Sequence, residues 1–188
     1  SGLAKDTPLR DIKSVAMIGA GTMGGGIAMN FASRGIPVYM VDVDVVAIER
    51  GLDVVRANYM RGVEKGRMSL APLETLMQLF IPVITYKDLA DVDLVIEAVF
   101  ENMAVKKEIF GRLDEVCKPG TILASNTSYL DLDEIAQVTS RPRDVVGMQF
   151  FSPANIMRLL EVVRGAETAP DVMATVMKLA RRIGKVGV

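Results

Sequence analysis

The sequence predicts an α/β protein with a doubly wound, mostly parallel sheet and helices on both faces. Three observations lead to this fold class. Strand-like and helix-like stretches alternate along the chain of 188 residues. The early strands are near-continuously apolar, as strands of a parallel sheet are when helices cover both faces. A glycine-rich turn joins the first strand to the first helix.

The elements follow from apolar spacing and from the residues that interrupt it. Short apolar runs predict strands, whereas apolar residues three and four positions apart predict helices, as in residues 46–65. Gly35 and the pair Pro119-Gly120 are expected to end two helices. The predicted strands are KSVAMI, IPVYMVD, DVDLVIEAV, TILASN, RDVVGMQFF, MRLLEVVRG and the terminal KVGV. The predicted helices are TMGGGIAMNFASRG, residues 46–65, LAPLETLMQLF, MAVKKEIFGRLDEVC, LDLDEIAQV and APDVMATVMKLARRIG.

Composition and charge exclude several classes of function. Acidic and basic residues nearly balance, with a net charge of −1, so neither nucleic acid nor an anionic membrane is an expected partner. The longest apolar runs have the length of strands, and no membrane span is expected. The chain has one cysteine and no histidine, so neither a disulfide framework nor a metal site is expected.

The turn GAGTMG places Gly19, Gly21 and Gly24 in the G-x-G-x-x-G spacing. The first glycine permits the tight bend, the second lets backbone approach a pyrophosphate, and the third allows the helix to pack closely on the strand. The helix that begins here offers free N–H groups to a phosphate. Asp42 ends the second strand eighteen residues after Gly24, where a carboxylate can bind the ribose hydroxyls of adenosine. Because Val43 rather than an arginine follows it, the sequence predicts NAD rather than NADP.

Four stretches of the sequence resemble the NAD-binding domain of L-3-hydroxyacyl-CoA dehydrogenases, whose fold is of the Rossmann type. They are IGAGTMGGGIA, DLVIEAVFENMAVKKEIFGRLD, PGTILASNTS and GMQFFSPANIMRLLEVV. The last is most similar to that domain in the multifunctional β-oxidation proteins, which also carry an enoyl-CoA hydratase segment. The resemblance implies NAD-dependent oxidation of an L-3-hydroxyacyl-CoA to the 3-ketoacyl-CoA in fatty acid β-oxidation.

The resemblance also implies roles for individual residues. In the family a histidine takes the hydroxyl proton, and a glutamate twelve residues later orients it. The glutamate matches Glu161, but the histidine position holds Gln149. Asn126 and Ser128 match residues near the nicotinamide and the substrate 3-oxygen, which makes these four the candidate catalytic residues. The candidate cofactor-binding residues are Gly19, Gly21, Thr22, Met23, Gly24, Asp42, Ala98, Val99, Glu101, Lys106 and Asn126.

Gln149 puts the activity of this chain in question. Histidine serves as a base because its pKa lies near neutrality, whereas a glutamine amide does not titrate there. Losing a general base typically slows a reaction by about 10²–10⁴-fold, so we expect a domain that binds NAD but oxidises hydroxyacyl-CoA poorly. An engineered change, a natural loss or recruitment of another base would each account for Gln149. The alternatives are a catalytically silent NAD- or acyl-CoA-binding module and a dehydrogenase of small 3-hydroxy acids without CoA.

Several of these residues also have a purely structural explanation. Glu101 and Lys106 can form an exposed pair on a helix, and Asn126 and Ser128 can cap the turn after a strand. Cys117 lies on an apolar helix face without a histidine or a basic cluster, so a buried structural thiol is expected.

The ends of the chain indicate a piece of a longer protein. Ser1-Gly2 stands where an initiator methionine would, and residues 1–12 are interpreted as a linker or tag remnant before an NAD-binding domain at 13–188. The resemblance implies a C-terminal substrate and dimerisation domain outside this chain, an acyl-CoA substrate, and a full-length form that is dimeric or multifunctional. The expected compartment is a bacterial cytoplasm or, for a eukaryotic source, a peroxisome or mitochondrial matrix.

Overall fold

The structure, a computed structural model, describes residues 7–188; residues 1–6 of the predicted linker lie outside the described residues. Its strands are β1 (Val15–Ile18), β2 (Val38–Val41), β3 (Phe80–Pro82), β4 (Leu94–Glu97), β5 (Ile122–Ser125), β6 (Val145–Phe150), β7 (Leu159–Val163) and β8 (Val186–Gly187). They form one sheet in the order β3-β2-β1-β4-β5-β6-β7-β8. Every neighbouring pair is parallel except β6 and β7, so the predicted mostly parallel sheet is confirmed.

The helices cover both faces of the sheet, as a doubly wound fold requires. Those packed with one face are α1 (Thr22–Ala32), α2 (Val45–Glu64), α3 (Leu70–Met77) and α6 (Pro170–Arg182), and those packed with the other are α4 (Met103–Val116) and α5 (Leu132–Ala136). Short 3₁₀ turns occupy Tyr86–Leu89 and Pro142–Asp144. No helix within residues 7–188 is both long enough and apolar enough to cross a bilayer.

Strand β1 shows how the sequence produces two cores. All four of its residues are buried, and successive side chains of a strand point to opposite faces. Val15 and Met17 therefore belong to the core under α1, while Ala16 and Ile18 belong to the core under α4. A strand that is buried on both faces reads as a continuous apolar run, which is the pattern that predicted it.

The chain leaves β1 for β2 and β3 on one side and then returns to place β4 on the other side of β1. A crevice opens at such a reversal, outside the carboxyl ends of the strands, and ligands of open α/β sheets bind there. The topology therefore brings the glycine-rich turn after β1, Asp42 after β2 and the segment after β4 to one edge of the sheet.

One predicted helix is too long. The stretch LAPLETLMQLF ends as a helix at Met77, and Phe80 already begins β3. The short strand pairs parallel with β2 through only three residues. A pairing of that length leaves no period in the sequence, and its partner, β2, lies about forty residues earlier in the chain.

The segment before β1 packs on the domain where the structure describes it. Arg10 Nε donates to Asp171 Oδ2 at 2.8 Å, and its Nη1 lies 2.8 Å from Asp144 Oδ1. Ile12 is buried in the core of the α1 face. The interpretation of residues 1–12 as a linker or tag remnant stays a prediction.

Polar contacts also tie α4 to the connection before β6. Asp114 accepts hydrogen bonds from the backbone of Ser140 at 2.8 Å and from Arg141 Nε at 2.9 Å. Burial alone would raise the pKa of Asp114, but these hydrogen bonds outweigh it and hold the pKa below its usual value.

Burial raises the pKa of Cys117 to about 11, and its Sγ lies 3.8 Å from the carbonyl of Leu89. The prediction of a buried structural thiol is confirmed.

Candidate dinucleotide site and active site

A cleft of about 590 Å³ opens at the carboxyl edge of the sheet, between the ends of β1, β2 and β4. Five of the residues predicted to bind the cofactor line it: Gly19, Gly21, Asp42, Ala98 and Val99. Thr22 and Met23 lie in the first turn of α1, directly after the glycine-rich turn. The topology thus brings together residues from three separate parts of the sequence.

The glycine-rich turn has the shape that its spacing predicts. Gly19 has φ +105°, and a Cβ there would lie 3.0 Å from the carbonyl oxygen of Ala98. A Cβ on Gly24 would lie only 1.8 Å from the carbonyl oxygen of Gly19, so the helix packs on the turn too closely for any side chain. At Gly21 a Cβ would have no atom within 4 Å among the described residues. That open space faces the cleft, as a backbone that approaches a pyrophosphate requires.

The amino end of α1 is suited to an anion. Its N-cap is Gly21, and no described side chain caps it, so the N–H groups of the first helical turn point to the cleft side without a side-chain acceptor. The helix dipole adds a partial positive charge at the same place. Both features fit the pyrophosphate of a dinucleotide.

Two backbone hydrogen bonds fix the orientation of the Asp42 carboxylate. Its Oδ2 accepts from the backbone N–H of Ala20 at 2.8 Å, and its Oδ1 accepts from the N–H of Val43 at 2.7 Å. Each oxygen keeps a lone pair for a further donor, and the side chain is half-buried at the cleft. Two ribose hydroxyls supply such donors, whereas a 2′-phosphate would meet a carboxylate of its own charge.

Sequence reasoning missed a glycine outside the turn. Gly51 lies in the middle of α2, and a Cβ there would lie 2.1 Å from the carbonyl oxygen of Ala20 and 2.9 Å from its Cβ. The second helix therefore presses directly on the glycine-rich turn. A glycine in the middle of a predicted helix was the available signal, because glycine there costs stability unless close packing requires it.

The far wall of the cleft consists of a cation and an aromatic ring. Arg112 Cζ lies 4.0 Å from the centre of the Tyr86 ring, and both residues line the cleft. Burial raises the pKa of Tyr86 and outweighs the opposing effect of the Arg112 charge, so the ring is a neutral phenol at neutral pH. The exposed side chains of Val43 and Ile84 provide apolar surface at the same opening.

A buried polar cluster lies beneath the segment that follows β4. Lys106 and Glu97 are both fully buried, and Lys106 Nζ lies 2.5 Å from Glu97 Oε2. Glu97 Oε2 also accepts from the N–H of Val99 at 2.8 Å, and its Oε1 accepts from Ser125 Oγ at 2.6 Å. Lys106 Nζ further contacts Glu101 Oε1 at 3.3 Å. The alternative of an exposed pair on a helix is therefore wrong for Lys106, because it lies inside the domain.

Sequence reasoning did not single out Glu97 or Ser125. The signal was present, since Glu97 is a carboxylate at the end of an apolar strand and therefore needs a partner. Lys106 is that partner, and only the fold shows that α4 turns its side chain inward. Lys106 was predicted to bind the cofactor, a role that its complete burial restricts to indirect action.

The segment after β5 links the cluster to β6. Asn126 Oδ1 accepts from the backbone N–H of Phe150 at 2.7 Å, which joins the end of β5 to the strand that carries Gln149. Ser128 is exposed two residues later. Within residues 7–188 neither side chain caps the turn after β5, which was the purely structural explanation for them. Thr127 does so instead, since its Oγ1 accepts from the N–H of Leu130 at 3.1 Å.

Thr127 also connects this segment with Glu101, because its hydroxyl donates to Glu101 Oε2 at 2.7 Å. Glu101 therefore has one oxygen on Thr127 and the other on Lys106, while about a quarter of its side chain stays exposed. Among the three charged members of the cluster it is the one that reaches solvent, and it joins the segments after β4 and β5.

Gln149 and Glu161 lie directly opposite each other. They are Cα partners in the antiparallel pair of β6 and β7, and both are half-buried. Side chains of directly opposed residues project from the same face with Cβ atoms about 4.5–5.5 Å apart. The amide and the carboxylate therefore share one side of the sheet, beside the end of β6 that Asn126 holds.

The loop between β6 and β7 is fixed against α1. Lys185 Nζ is buried and donates to the carbonyl oxygens of Ala154 at 2.7 Å and Met157 at 2.5 Å. Asn30 Nδ2 donates to the same Ala154 oxygen at 2.9 Å. Burial lowers the pKa of Lys185. These bonds set the geometry of the connection between the two strands that carry Gln149 and Glu161.

The fold, the glycine-rich turn and Asp42 together define a dinucleotide-binding domain of the doubly wound class. Comparison with known proteins gives the family. The chain belongs to the 3-hydroxyacyl-CoA dehydrogenase NAD-binding domain family, whose profile matches residues 14–188. The resemblance to this family and the prediction of NAD as the cofactor are thereby confirmed.

Relatives include single-function and multifunctional proteins. The peroxisomal bifunctional enzyme of Danio rerio is 47% identical over 179 residues, which are 95% of this chain and 24% of that protein. A probable 3-hydroxybutyryl-CoA dehydrogenase of Bacillus subtilis is 43% identical over 178 residues, 95% of this chain and 62% of that protein. The chain thus spans about a quarter of the one relative and less than two thirds of the other.

Solved structures show the same fold. The (S)-3-hydroxybutyryl-CoA dehydrogenase of Ralstonia eutropha superposes with a TM-score of 0.92 at 35% identity, over 95% of this chain and 63% of that chain. The dehydrogenase part of a multifunctional enzyme from C. elegans superposes with a TM-score of 0.87 at 34% identity, over 97% of this chain and 42% of that chain.

Proposed function

We propose that this domain serves the NAD-dependent oxidation of an L-3-hydroxyacyl-CoA to the 3-ketoacyl-CoA in fatty acid β-oxidation, and that Gln149 impairs the reaction. Family membership and the names of the relatives support the reaction class. One observation carries the impairment: a residue that cannot titrate near neutrality stands directly opposite Glu161.

The proposed chemistry divides into positioning and proton transfer. When bound, NAD supplies the acceptor for the hydride that leaves C3 of the substrate. The Gln149 amide can donate to Glu161 and accept from the substrate hydroxyl, so it can orient the substrate, but it cannot take the proton. A carboxylate such as Glu161 is a poor match for an alcohol proton at neutral pH. The exposed hydroxyl of Ser128 and the amide of Asn126 are the proposed donors to the 3-oxygen.

The proposed cofactor contacts extend from the glycine-rich turn to the segment after β4. The backbone around Gly21, Thr22 and Met23 receives the pyrophosphate, and Asp42 receives the adenosine ribose. Glu101 is the proposed contact at the nicotinamide end, because it is the partly exposed member of the buried cluster.

A catalytically silent NAD- or acyl-CoA-binding module is the second candidate. Gln149 is the observation that favours it, because a residue that cannot serve as a base lies directly opposite Glu161. The two candidates differ in turnover and not in cofactor binding, so a binding measurement alone does not separate them.

The test compares the full-length gene product with its Gln149→His variant. The assay follows NADH oxidation with acetoacetyl-CoA. We expect the variant to be faster by about 10²–10⁴-fold, because it regains a group that transfers a proton near neutrality. Its rate should fall as pH rises through the pKa of the new histidine, since reduction of the ketone consumes a proton.

Gln137→His is a matched control, because Gln137 Nε2 also donates to a glutamate, Glu167 Oε2 at 3.0 Å, but on the surface. That variant should leave the rate unchanged. Equal rates for the unchanged protein and Gln149→His would refute the loss-of-base argument. NAD binding without turnover in both would favour the silent module, and a folded protein that binds no NAD would refute both candidates.

The names of the relatives support a proposal for partners and compartment. We infer an acyl-CoA substrate, and a full-length form that is either a dimer or part of a multifunctional chain, since some relatives are named bifunctional enzymes. The same names include peroxisomal and bacterial proteins. We propose a bacterial cytoplasm or, in a eukaryote, a peroxisome or mitochondrial matrix; of these, the peroxisome is the compartment that names of relatives support.

A further inference from the structure

We propose that Glu97, Lys106 and Glu101 set the relative affinity of the site for oxidised and reduced dinucleotide by placing a net negative charge beneath the cofactor cleft. The inference rests on the proposed function of the site and assigns a role to Glu97, a residue that no part of that function uses. We call these three residues the charge cluster.

The ammonium group of Lys106 has three oxygen partners within the protein. Its Nζ lies 2.5 Å from Glu97 Oε2, 3.3 Å from Glu101 Oε1 and 3.2 Å from the carbonyl oxygen of Val99. Lys106 donates hydrogen bonds to Glu97 and to the carbonyl of Val99 and forms an ion pair with Glu101. With no exposed surface on its side chain, Lys106 acts on a bound cofactor only through its charge and through the residues that it holds.

The charge cluster lies directly under the cleft wall. The backbone of Val99, which lines the cleft, donates its N–H to Glu97 and receives a hydrogen bond from Lys106 on its carbonyl oxygen. Val99 therefore lies between the buried charges and the cleft. Glu101 extends the cluster to the surface beside this wall.

The charges of the cluster do not cancel. The formal charges of two carboxylates and one ammonium sum to −1. Glu97 and Lys106 have no exposed surface, and about a quarter of the Glu101 side chain is exposed, so water screens the cluster only in part. The cluster therefore acts on nearby groups as a fixed negative charge.

A fixed negative charge discriminates between the two forms of the cofactor. The nicotinamide ring is positively charged when oxidised and neutral when reduced. In general, one unit charge about 10 Å from a cation, at an effective dielectric constant of about 20, changes the affinity for that cation by roughly 5- to 20-fold. The cluster should therefore hold NAD⁺ more tightly relative to NADH.

Glu97→Gln removes one charge and keeps every hydrogen bond of the site. The amide oxygen can replace Oε2 toward Lys106 and the N–H of Val99, and the amide nitrogen can donate to Ser125 after its hydroxyl rotates. Glu101→Gln is a second variant that also removes one negative charge. Glu101 is partly exposed, so folding depends less on its charge than on that of Glu97.

The experiment measures dissociation constants of the full-length gene product for NAD⁺ and for NADH by calorimetry, at one ionic strength. We expect Glu97→Gln and Glu101→Gln each to raise the ratio of the NAD⁺ constant to the NADH constant by about 5- to 20-fold. Thr121→Val is the matched control. Thr121 directly precedes β5, at the end of the strand away from Ser125, and its buried hydroxyl donates to the carbonyl of Val92. That variant should leave the ratio unchanged.

The ratio separates charge from general damage, since a loosened site would weaken both forms of the cofactor equally. Variants that fold and bind both forms with an unchanged ratio would overturn the inference and leave the proposed function standing. If the unchanged protein is folded and binds neither form, the proposed function fails, and the inference fails with it.

Discussion

Methionine in place of Lys106 would keep most of the side-chain volume and remove the ammonium group that pairs with Glu97. Both side chains are fully buried, with Nζ and Oε2 2.5 Å apart. Removing one member of a buried ion pair costs about 3–5 kcal/mol, because the other charge stays in the protein without compensation.

The structure places the expected cost near the lower end of that range. Glu97 would keep its hydrogen bonds from Ser125 and from the N–H of Val99, which continue to stabilise the carboxylate. Glu101 would also lose a partner, but it is partly exposed and keeps Thr127. We therefore expect Lys106→Met to lower the free energy of unfolding by about 3 kcal/mol, or the melting temperature by roughly 6–12 °C for a domain of this size.

Urea unfolding followed by circular dichroism at pH 7 measures the effect. Lys107→Met is the matched control on the same helix, because Lys107 pairs with Glu134 on the surface. Exposed pairs of that kind contribute about 0–1 kcal/mol. The double variant Glu97→Gln with Lys106→Met removes both charges, and we expect it to be more stable than Lys106→Met alone by about 1–3 kcal/mol.

Two results would contradict this reasoning. If Lys106→Met lowers the free energy of unfolding no more than Lys107→Met does, then Lys106 does not compensate the buried charge of Glu97. If the double variant is no more stable than Lys106→Met, the cost does not come from an uncompensated Glu97.

Three further predictions concern other parts of the domain. Gly51→Ala should lower stability by about 1–3 kcal/mol and weaken NAD binding measured by calorimetry, because its Cβ would press on the glycine-rich turn. Gly62→Ala in the same helix should do neither, because the nearest atom to its Cβ would lie 3.9 Å away. Cys117, with a pKa raised to about 11, should react with a thiol reagent at pH 8 at least about tenfold more slowly in the folded protein than in urea; equal rates would refute its burial. The lowered pKa of Asp114 means that it stabilises the fold above about pH 4 and loses this effect as pH falls, so Asp114→Asn should flatten the acid side of the stability profile measured by urea unfolding.

The sequence by itself determined the features that depend on residues close together in the chain. Apolar runs gave the central strands because β1, β4 and β5 are buried on both faces. The glycine spacing predicted the turn because φ +105° at Gly19 and the closeness of Gly24 are properties of a few adjacent residues. Asp42 followed from its distance along one β-α-β unit, which has a nearly constant length.

Only the tertiary structure decided which distant residues meet. Gly51 presses on a turn thirty residues earlier, β3 pairs with a strand about forty residues earlier, and Lys106 finds Glu97 because α4 turns one side inward. None of these contacts leaves a period in the sequence, since each depends on how two elements pack. Gln149 and Glu161 show both parts: the sequence names the amide and the carboxylate, and the register of β6 with β7 places them face to face.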